Sequence, residues 1–494
     1  MPRYLLADIG STFTKLLVVD TEDCAIISQA TAPTTVSEDV NRGFEAARRK
    51  LQPAVNSKIT TLVCSSAAGG LQIAAVGLVP QLTMSAARQA ALGAGGKVVH
   101  AYAYELTSSD VDDLRRRQPD MILLAGGTDG GDRKHILHNA RILARDLPEI
   151  PVIVAGNRTA HKELREIFGA NTTGKPTDVV FTQNVLPEIN RMNLEPARHC
   201  IRDLFLRRIV YARGLNKLQD FAEILMPTPE AVMRGIQLLA EGLSASQPGI
   251  GDLLALDMGG ATTDVYSCAT GVPEAPQTVL KGLPEPYVKR TVEADIGMRH
   301  TIGFLAEQIT LPDIAAEASL PPDALQQWID NVRRQPDRIP TTPTEIAADS
   351  ALARAGCRIA AIRHAGHLEE TYTPAGRCYI QEGKDLGSVP TIIGTGGPLI
   401  NHPTPDKLLS AARRAPGMRA LLPRNPAYYI DQHYILWAMG LLIEADANAA
   451  LTIMRNNLKP LASEESASDE LIDTDKQGKT NRQDAKNTKV AAGD

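Results

Sequence analysis

Asp8-Ile-Gly-Ser-Thr-Phe-Thr-Lys15 and Asp257-Met-Gly-Gly-Ala-Thr-Thr-Asp264 carry Asp, Gly and Thr at the same offsets, about half the chain apart. Each follows an apolar run, Tyr4–Ala7 or Leu253–Leu256, and leads into another, Leu16–Val19 or Val265–Cys268. Each therefore reads as a strand, a tight turn and a second strand. A turn made of Gly, Ser and Thr exposes backbone N–H groups and short hydroxyls, which together form a concave anion site. Two such turns in one chain predict two similar domains facing one ligand.

The remaining sequence extends this pattern. Apolar, β-rich runs alternate with helical patterns, which defines an α/β class. Further strands are expected at Thr61–Cys64, Met121–Ala125, Val152–Ala155 and Thr391–Ile393. Pro227–Gly242 reads as a helix running up to the strand at Leu253, and the Pro-rich passage from Pro312 to Pro343 as an insertion with short helices. At 494 residues the chain exceeds the roughly 250–300 residues that one core supports. We expect an N-terminal domain over 1–225 and a C-terminal domain over 226–462. Residues 463–494 are rich in Ser, Asp, Glu, Lys, Asn and Gln and nearly lack large apolar side chains. Burial there cannot offset the ordering entropy, so a disordered tail is expected.

Composition removes several function classes. Apolar residues make up 43% and charged residues 22%, ordinary for a soluble globular protein. A net charge of −5 gives no electrostatic reason to expect nucleic acid or an anionic membrane. The six cysteines are scattered without CxxC spacing, so neither a zinc nor an iron–sulfur site is signalled, and reduced thiols suit the cytoplasm. The N-terminal apolar run is too short for a signal peptide, and no stretch reads as a membrane span.

Three glycine-rich elements carry the chemistry. In the first, Gly10 lets the backbone approach a phosphate, Ser11, Thr12 and Thr14 offer hydroxyls, and Lys15 offers charge to β- or γ-phosphate oxygens. Asp8, at a strand end, suits the water shell of Mg2+. In the second, Asp257 suits the same water shell or the attacking water, while Gly259, Gly260, Thr262 and Thr263 close around a terminal phosphate. Asp264 is expected either there or fixing the loop. In the third, Thr391–Leu399, the glycines Gly394, Gly396 and Gly397 let backbone lie flat against a base and ribose. Each alone also fits a plain hairpin or a flexible loop; the joint order and spacing favour a nucleotide. Gly169–Lys175 resembles a P-loop, but Pro176 stands where Ser or Thr would hold Mg2+, and a helix precedes it. Ala125–Asp132 is open between a ligand loop, a partner-contact loop and close backbone packing, with packing favoured.

The three elements resemble the phosphate-1, phosphate-2 and adenosine motifs of the superfamily containing actin, hexokinase and the heat-shock chaperone ATPases. DIGSTFTK, SSAAGGL at Ser65–Leu71, LLAGGTDGGD at Leu123–Asp132, DMGGATTD, EADIGMR at Glu293–Arg299 and IGTGGPLI at Ile393–Ile400 together resemble the MutL/GlmL family. That family accompanies cobalamin-dependent glutamate mutase and related aminomutases, and is unrelated to the mismatch-repair protein of the same name. The likeness spans nearly everything except the tail.

The resemblance implies two RNase H-like (actin-like ATPase) domains flanking a nucleotide cleft, with ATP and Mg2+ bound. Asp8, Asp257 and Glu230 are its implied catalytic residues, Asp8 and Asp257 also serving the metal. Glu230 falls in the segment that helps place water in chaperone ATPases, although a carboxylate complementing a helix start is an equal reading. Gly297 falls where relatives carry a glycine turn near the nucleotide. The implied role is an ATP-dependent reactivating factor whose partners are cobalamin-dependent mutase subunits, with a homo-oligomer left open. A small-molecule kinase or a hydantoinase/oxoprolinase-type enzyme is the alternative. A filament-forming actin-like protein lacks support from a membrane anchor, and a radical-dehydratase activator is disfavoured by the scattered cysteines.

Overall fold

The computed structural model describes residues 3–10, 13–34, 40–51, 59–66, 71–169, 177–212, 223–374 and 376–461. Ser11, Thr12, most of the P-loop-like stretch and the expected tail lie outside them.

One five-stranded sheet has the spatial order Glu223–Pro227, Thr60–Ser65, Arg3–Ile9, Phe13–Asp20, Ala25–Pro33. Its first three strands in the chain form an antiparallel meander, and the other two run parallel to the first. The second main sheet repeats this plan. Leu253–Met258, Thr263–Cys268 and Val288–Glu293 form the meander, and Thr391–Thr395 and Ala427–Asp431 add in parallel. A short sixth strand, Leu458–Pro460, closes the edge. The doubled 3-2-1-4-5 order makes these two RNase H-like domains.

Central strands buried on both faces read as near-continuous apolar runs. Period-two alternation then divides their side chains. Leu5, Ala7, Ile9, Leu16 and Val18 pack with Phe44 and Ala47 on one face. Leu6, Leu17 and Val19 turn to the other, where Ala255 and Tyr266 of the second sheet share the same cluster. Two helices, Thr228–Glu241 and Leu436–Asn457, fill the space between the sheets. They cross at glycines. A Cβ on Gly440 would lie 1.7 Å from the Ala231 carbonyl oxygen, and one on Gly235 would lie 2.4 Å from that of Leu436.

Leu436–Asn457 is 22 residues long with a mean hydropathy of 1.3 in its most apolar window, enough by length and composition to cross a membrane. This differs from the sequence expectation. Its apolar residues serve the interdomain core instead, and 61% of that window is buried.

A third sheet was not separated from the first domain in the sequence. Its strands stand in the order Lys97–Ala103, Gln72–Gly77, Met121–Leu124, Val152–Val154, Val179–Phe181 and are all parallel. Helices cover both faces. It is inserted between Thr60–Ser65 and Glu223–Pro227, which are themselves neighbours. A small sheet of Thr278–Lys281, Gly376–Glu382 and His367–Thr373 decorates the second domain. The Pro-rich passage from 312 carries the short helices Leu311–Glu317 and Pro322–Arg334, as expected, and Leu325, Trp328, Ile329 and Val332 of the latter enter the second domain's core.

Candidate nucleotide site

The two decisive turns are built alike. In the first, Gly10 N–H donates to the Phe13 carbonyl at 3.1 Å; in the second, Gly259 N–H donates to the Thr262 carbonyl at 2.9 Å. Register places Asp8 opposite Lys15 and Asp257 opposite Asp264. The first turn therefore pairs opposite charges, and the second sets two carboxylates side by side.

Asp8 is buried and accepts from the Thr228 hydroxyl at 2.6 Å, with the Lys15 ammonium 3.7 Å away. Burial raises its carboxyl, while Lys15 and the Thr228 bond oppose the rise. Lys15 also lies 3.6 Å above the Tyr434 ring, whose hydroxyl donates to Asp257 at 3.3 Å. This chain of contacts joins the two aspartates across the domains. Burial, and after it the charge of Asp264, pushes Asp257 up to about 7.

The second loop is held by the segment after Glu293. Met298 N–H donates to the Gly259 carbonyl, and Arg299 and His300 N–H both donate to that of Gly260. Gly297 makes this contact possible, since a Cβ there would lie 2.5 Å from the Ala261 carbonyl carbon. Thr14 and Thr263, at equivalent offsets, both turn inward: Thr14 bonds the Thr34 hydroxyl at 2.8 Å and Thr263 donates to the Ile296 carbonyl at 2.9 Å. Asp264 accepts from Arg290, at 2.6 Å from its Nη2, so it fixes the loop. The same guanidinium donates to the carbonyls of Leu92 and Gly96 in the third-sheet region.

The third element runs down Thr391–Thr395 beside Leu253–Met258. Gly394 faces Leu409 and Ile430, where a Cβ would come within 3.0 Å of each. Gly396 has φ +88°, and a Cβ there would lie 2.2 Å from the Met258 carbonyl oxygen and 2.7 Å from Asp257 Oδ1. Only glycine lets this loop reach the second one. A Cβ on Gly397 would meet only Asn401, at 3.9 Å, so the turn leaves open space beside it.

Glu230 stands apart from the aspartates. It is paired with Arg202 at 2.9 Å and Arg234 at 3.4 Å. Burial raises its carboxyl against both charges, and its Oε2 is buried without a hydrogen-bond partner. In the same helical turn, Thr228 is the residue that meets Asp8.

No group of three or more His, Cys, Asp or Glu converges among the described residues. The donor set is instead oxygen-rich and sparse, which suits an Mg2+ ion that keeps waters and takes phosphate oxygens. Gly10, Gly259 and Gly396 let the turns close tightly, since a Cβ on each would press on the carbonyl oxygen of Phe13, Thr262 or Met258, at 2.7, 3.0 and 2.2 Å.

The model of the MutL protein family matches residues 4–458. This chain belongs to the MutL family. "Protein MutL" of Clostridium tetanomorphum is 43% identical to it over 468 residues, covering 93% of this chain and 99% of that one. Among solved structures, gluconate kinase from Lactobacillus acidophilus aligns over 99% of this chain and 98% of its own, at 11% identity and a TM-score of 0.35. Component A of the Acidaminococcus fermentans (R)-2-hydroxyglutaryl-CoA dehydratase aligns over 91% and 100%, at 10% identity and a TM-score of 0.31. The fold follows from the doubled strand order and not from these likenesses.

In this MutL-family chain, four residues of the site escaped sequence reasoning: Thr228, Tyr434, Asp431 and Thr395. Asp431 ends a strand as Asp8 and Asp257 nearly do, and that recurrence was a usable signal. Its carboxylate accepts from Thr395 at 3.1 Å and from the N–H groups of Ile435 and Leu436. It thereby fixes the start of the helix after Tyr434, next to the Asp257 loop.

Proposed function

We propose that this MutL-family protein binds ATP with Mg2+ between its two RNase H-like domains and uses slow hydrolysis to reactivate a cobalamin-dependent mutase. The observation that supports the ATPase reading is the Asp8–Lys15–Tyr434–Asp257 chain of contacts, which links one strand-end carboxylate from each domain.

Bound with ATP, Mg2+ supplies charge neutralisation at the β- and γ-phosphate oxygens. Asp8 and Asp257 hold its water shell, and Asp257 also accepts a proton from the attacking water. Gly10, Ser11, Thr12 and Lys15 bind the β-phosphate side. Gly259, Gly260 and Thr262 enclose the terminal phosphate, with Gly297 supporting them from behind. Thr14 and Thr263 keep the strands in place below the turns. The turn at Gly396 and Gly397 carries the adenosine, with Gly394 packed behind it against Leu409 and Ile430. Glu230 offers its free Oε2 to water while Arg202 and Arg234 hold the other oxygen.

ATP shifts a domain equilibrium only if it binds the closure states with different affinity. A ligand gripped by loops from both domains meets that condition. The mutase would bind one closure state and release damaged cobalamin as the other forms; family membership supports this step. All six cysteines are free, as expected in the reducing cytoplasm.

The test is recovery of an inactivated cobalamin-dependent mutase from the same cell, with purified protein and ATP or a non-hydrolysable analogue. Recovery with ATP alone is expected. No recovery, with ATP turnover stimulated by a small metabolite, would instead establish a kinase or ring hydrolase.

A further inference from the structure

A basic concavity lies on the second domain, built from chain on either side of the third glycine turn. With a volume of about 1140 Å³, it opens between the strands His367–Thr373 and Gly376–Glu382 and the segment 410–425. Arg377, Arg413, Arg414, Arg419 and Arg424 line it, against only Glu369 and Glu370. Among the described residues, Arg377 pairs with Glu370 and Arg424 with Glu274. Arg413 and Arg414, among the described residues, donate to uncharged oxygens. Positive charge is therefore left over, on a chain whose net charge is −5.

The chain leaves the described fold beside this concavity. Leu458–Pro460 runs antiparallel to Ala427–Asp431, and Leu461 N–H donates to the Tyr428 carbonyl at 2.9 Å. The exit is thus at the start of Ala427–Asp431, directly after Arg424 and Asn425 on the wall. The sequence that follows is Ser463-Glu-Glu-Ser-Ala-Ser-Asp-Glu-Leu-Ile-Asp-Thr-Asp475, with six carboxylates and no Lys or Arg. An extended chain covers roughly 3.3–3.6 Å per residue, so Glu464 reaches the wall at once and Asp475 can cross it. Leu471 and Ile472 in this stretch have apolar counterparts in Leu368 and Met418 on the lining.

The wall also offers backbone. His367–Thr373 is an edge strand. Leu368 N–H points outward, to the Arg419 carbonyl, so by the two-residue period the main chain of Glu370 and Tyr372 faces the same way. An open edge beside a charged pocket is the geometry by which extended peptides add as a strand.

We propose that residues 464–475 fold back in cis onto this arginine concavity and cover it. The contact is charge-driven, so it is reversible and weakened by salt. A partner or ligand with a denser negative surface would displace it.

The test uses the full chain and a full-chain variant with its tail carboxylates neutralised (Glu464→Gln, Glu465→Gln, Asp469→Asn, Glu470→Gln, Asp473→Asn, Asp475→Asn). Phenylglyoxal modification of Arg413, Arg414 and Arg419 is followed site by site by mass spectrometry. At low salt the three are expected to react several-fold more slowly in the parent, and high salt should erase the difference. A second variant, Arg413→Gln with Arg419→Gln, should expose the tail to faster proteolysis. Equal arginine reactivity in parent and neutralised tail overturns the proposal. Protection that disappears on dilution also overturns it, by showing a second copy's tail in place of the chain's own.

Discussion

Tyr434, from the second domain, holds the Lys15 ammonium 3.6 Å above its ring while its hydroxyl donates to Asp257 at 3.3 Å. One side chain thus sets both the cation of the first loop and the carboxylate of the second. Tyr434→Phe keeps the cation–π contact and loses the hydrogen bond; Tyr434→Ala loses both. A cation–π contact contributes about 0.5–2 kcal/mol. ATP turnover should fall a few-fold in the Phe variant and by roughly tenfold or more in the Ala variant. Steady-state kinetics would check it; parent-like rates in both variants would remove Tyr434 from the site.

Asp8→Ala and Asp257→Ala should each abolish ATP hydrolysis while leaving far-UV circular dichroism unchanged. Thr228→Val should weaken Mg2+-ATP binding by roughly tenfold, because a hydrogen bond to a charged group contributes about 1.5–3 kcal/mol, and Thr228→Ser should restore most of it. Calorimetric titration separates these outcomes from misfolding.

The raised carboxyl of Asp257 gives a pH dependence with a definite sign. Its folded value is about 7 and its unfolded value about 3.9, so folding takes up a proton between them. Its protonated form favours the fold; that contribution is complete below the unfolded value and declines as pH rises toward the folded one. Asp257→Asn removes the decline. Without nucleotide, the variant's Tm should gain on the parent between about pH 5 and about pH 8, by on the order of a few °C. A constant offset across that range would show that Asp257 is not protonated on folding.

Gly440→Ala places a Cβ 1.7 Å from the Ala231 carbonyl. The helix pair must move apart, at a cost of about 1–3 kcal/mol for an overpacked core. Urea unfolding should shift to lower midpoint, and ATP turnover should fall with it because this crossing lies between the two sheets.

Legibility followed local pattern. The hairpins at Asp8 and Asp257 were visible because apolar runs flank a polar turn, and all eight expected strands are present. Glu223–Pro227 was not visible: it ends in proline, which argues against a strand, yet it sits at a sheet edge where proline is tolerated. The third sheet was only partly visible. Two of its five strands stood out, while Lys97–Ala103 is interrupted by His100 and Val179–Phe181 has three residues. The glycines and aspartates of the site were legible from spacing. Thr228 and Tyr434 were not, because their importance comes from contacts 220 and 177 residues away in the chain.

Arg290 gives the molecule a latch. Its buried guanidinium grips the Asp264 carboxylate on one side and the carbonyls of Leu92 and Gly96 on the other. Pulling the third sheet away from the second domain would leave Arg290 its carboxylate but take both carbonyl acceptors, hydrogen bonds to a charged group that contribute about 1.5–3 kcal/mol each. Asp264 sits on the loop proposed to enclose the terminal phosphate, so a shift of that loop on hydrolysis would pull on this contact directly. A departing phosphate would thus be felt at the outer sheet through Arg290, alongside the Gln89–Glu285 hydrogen bond that spans the same seam.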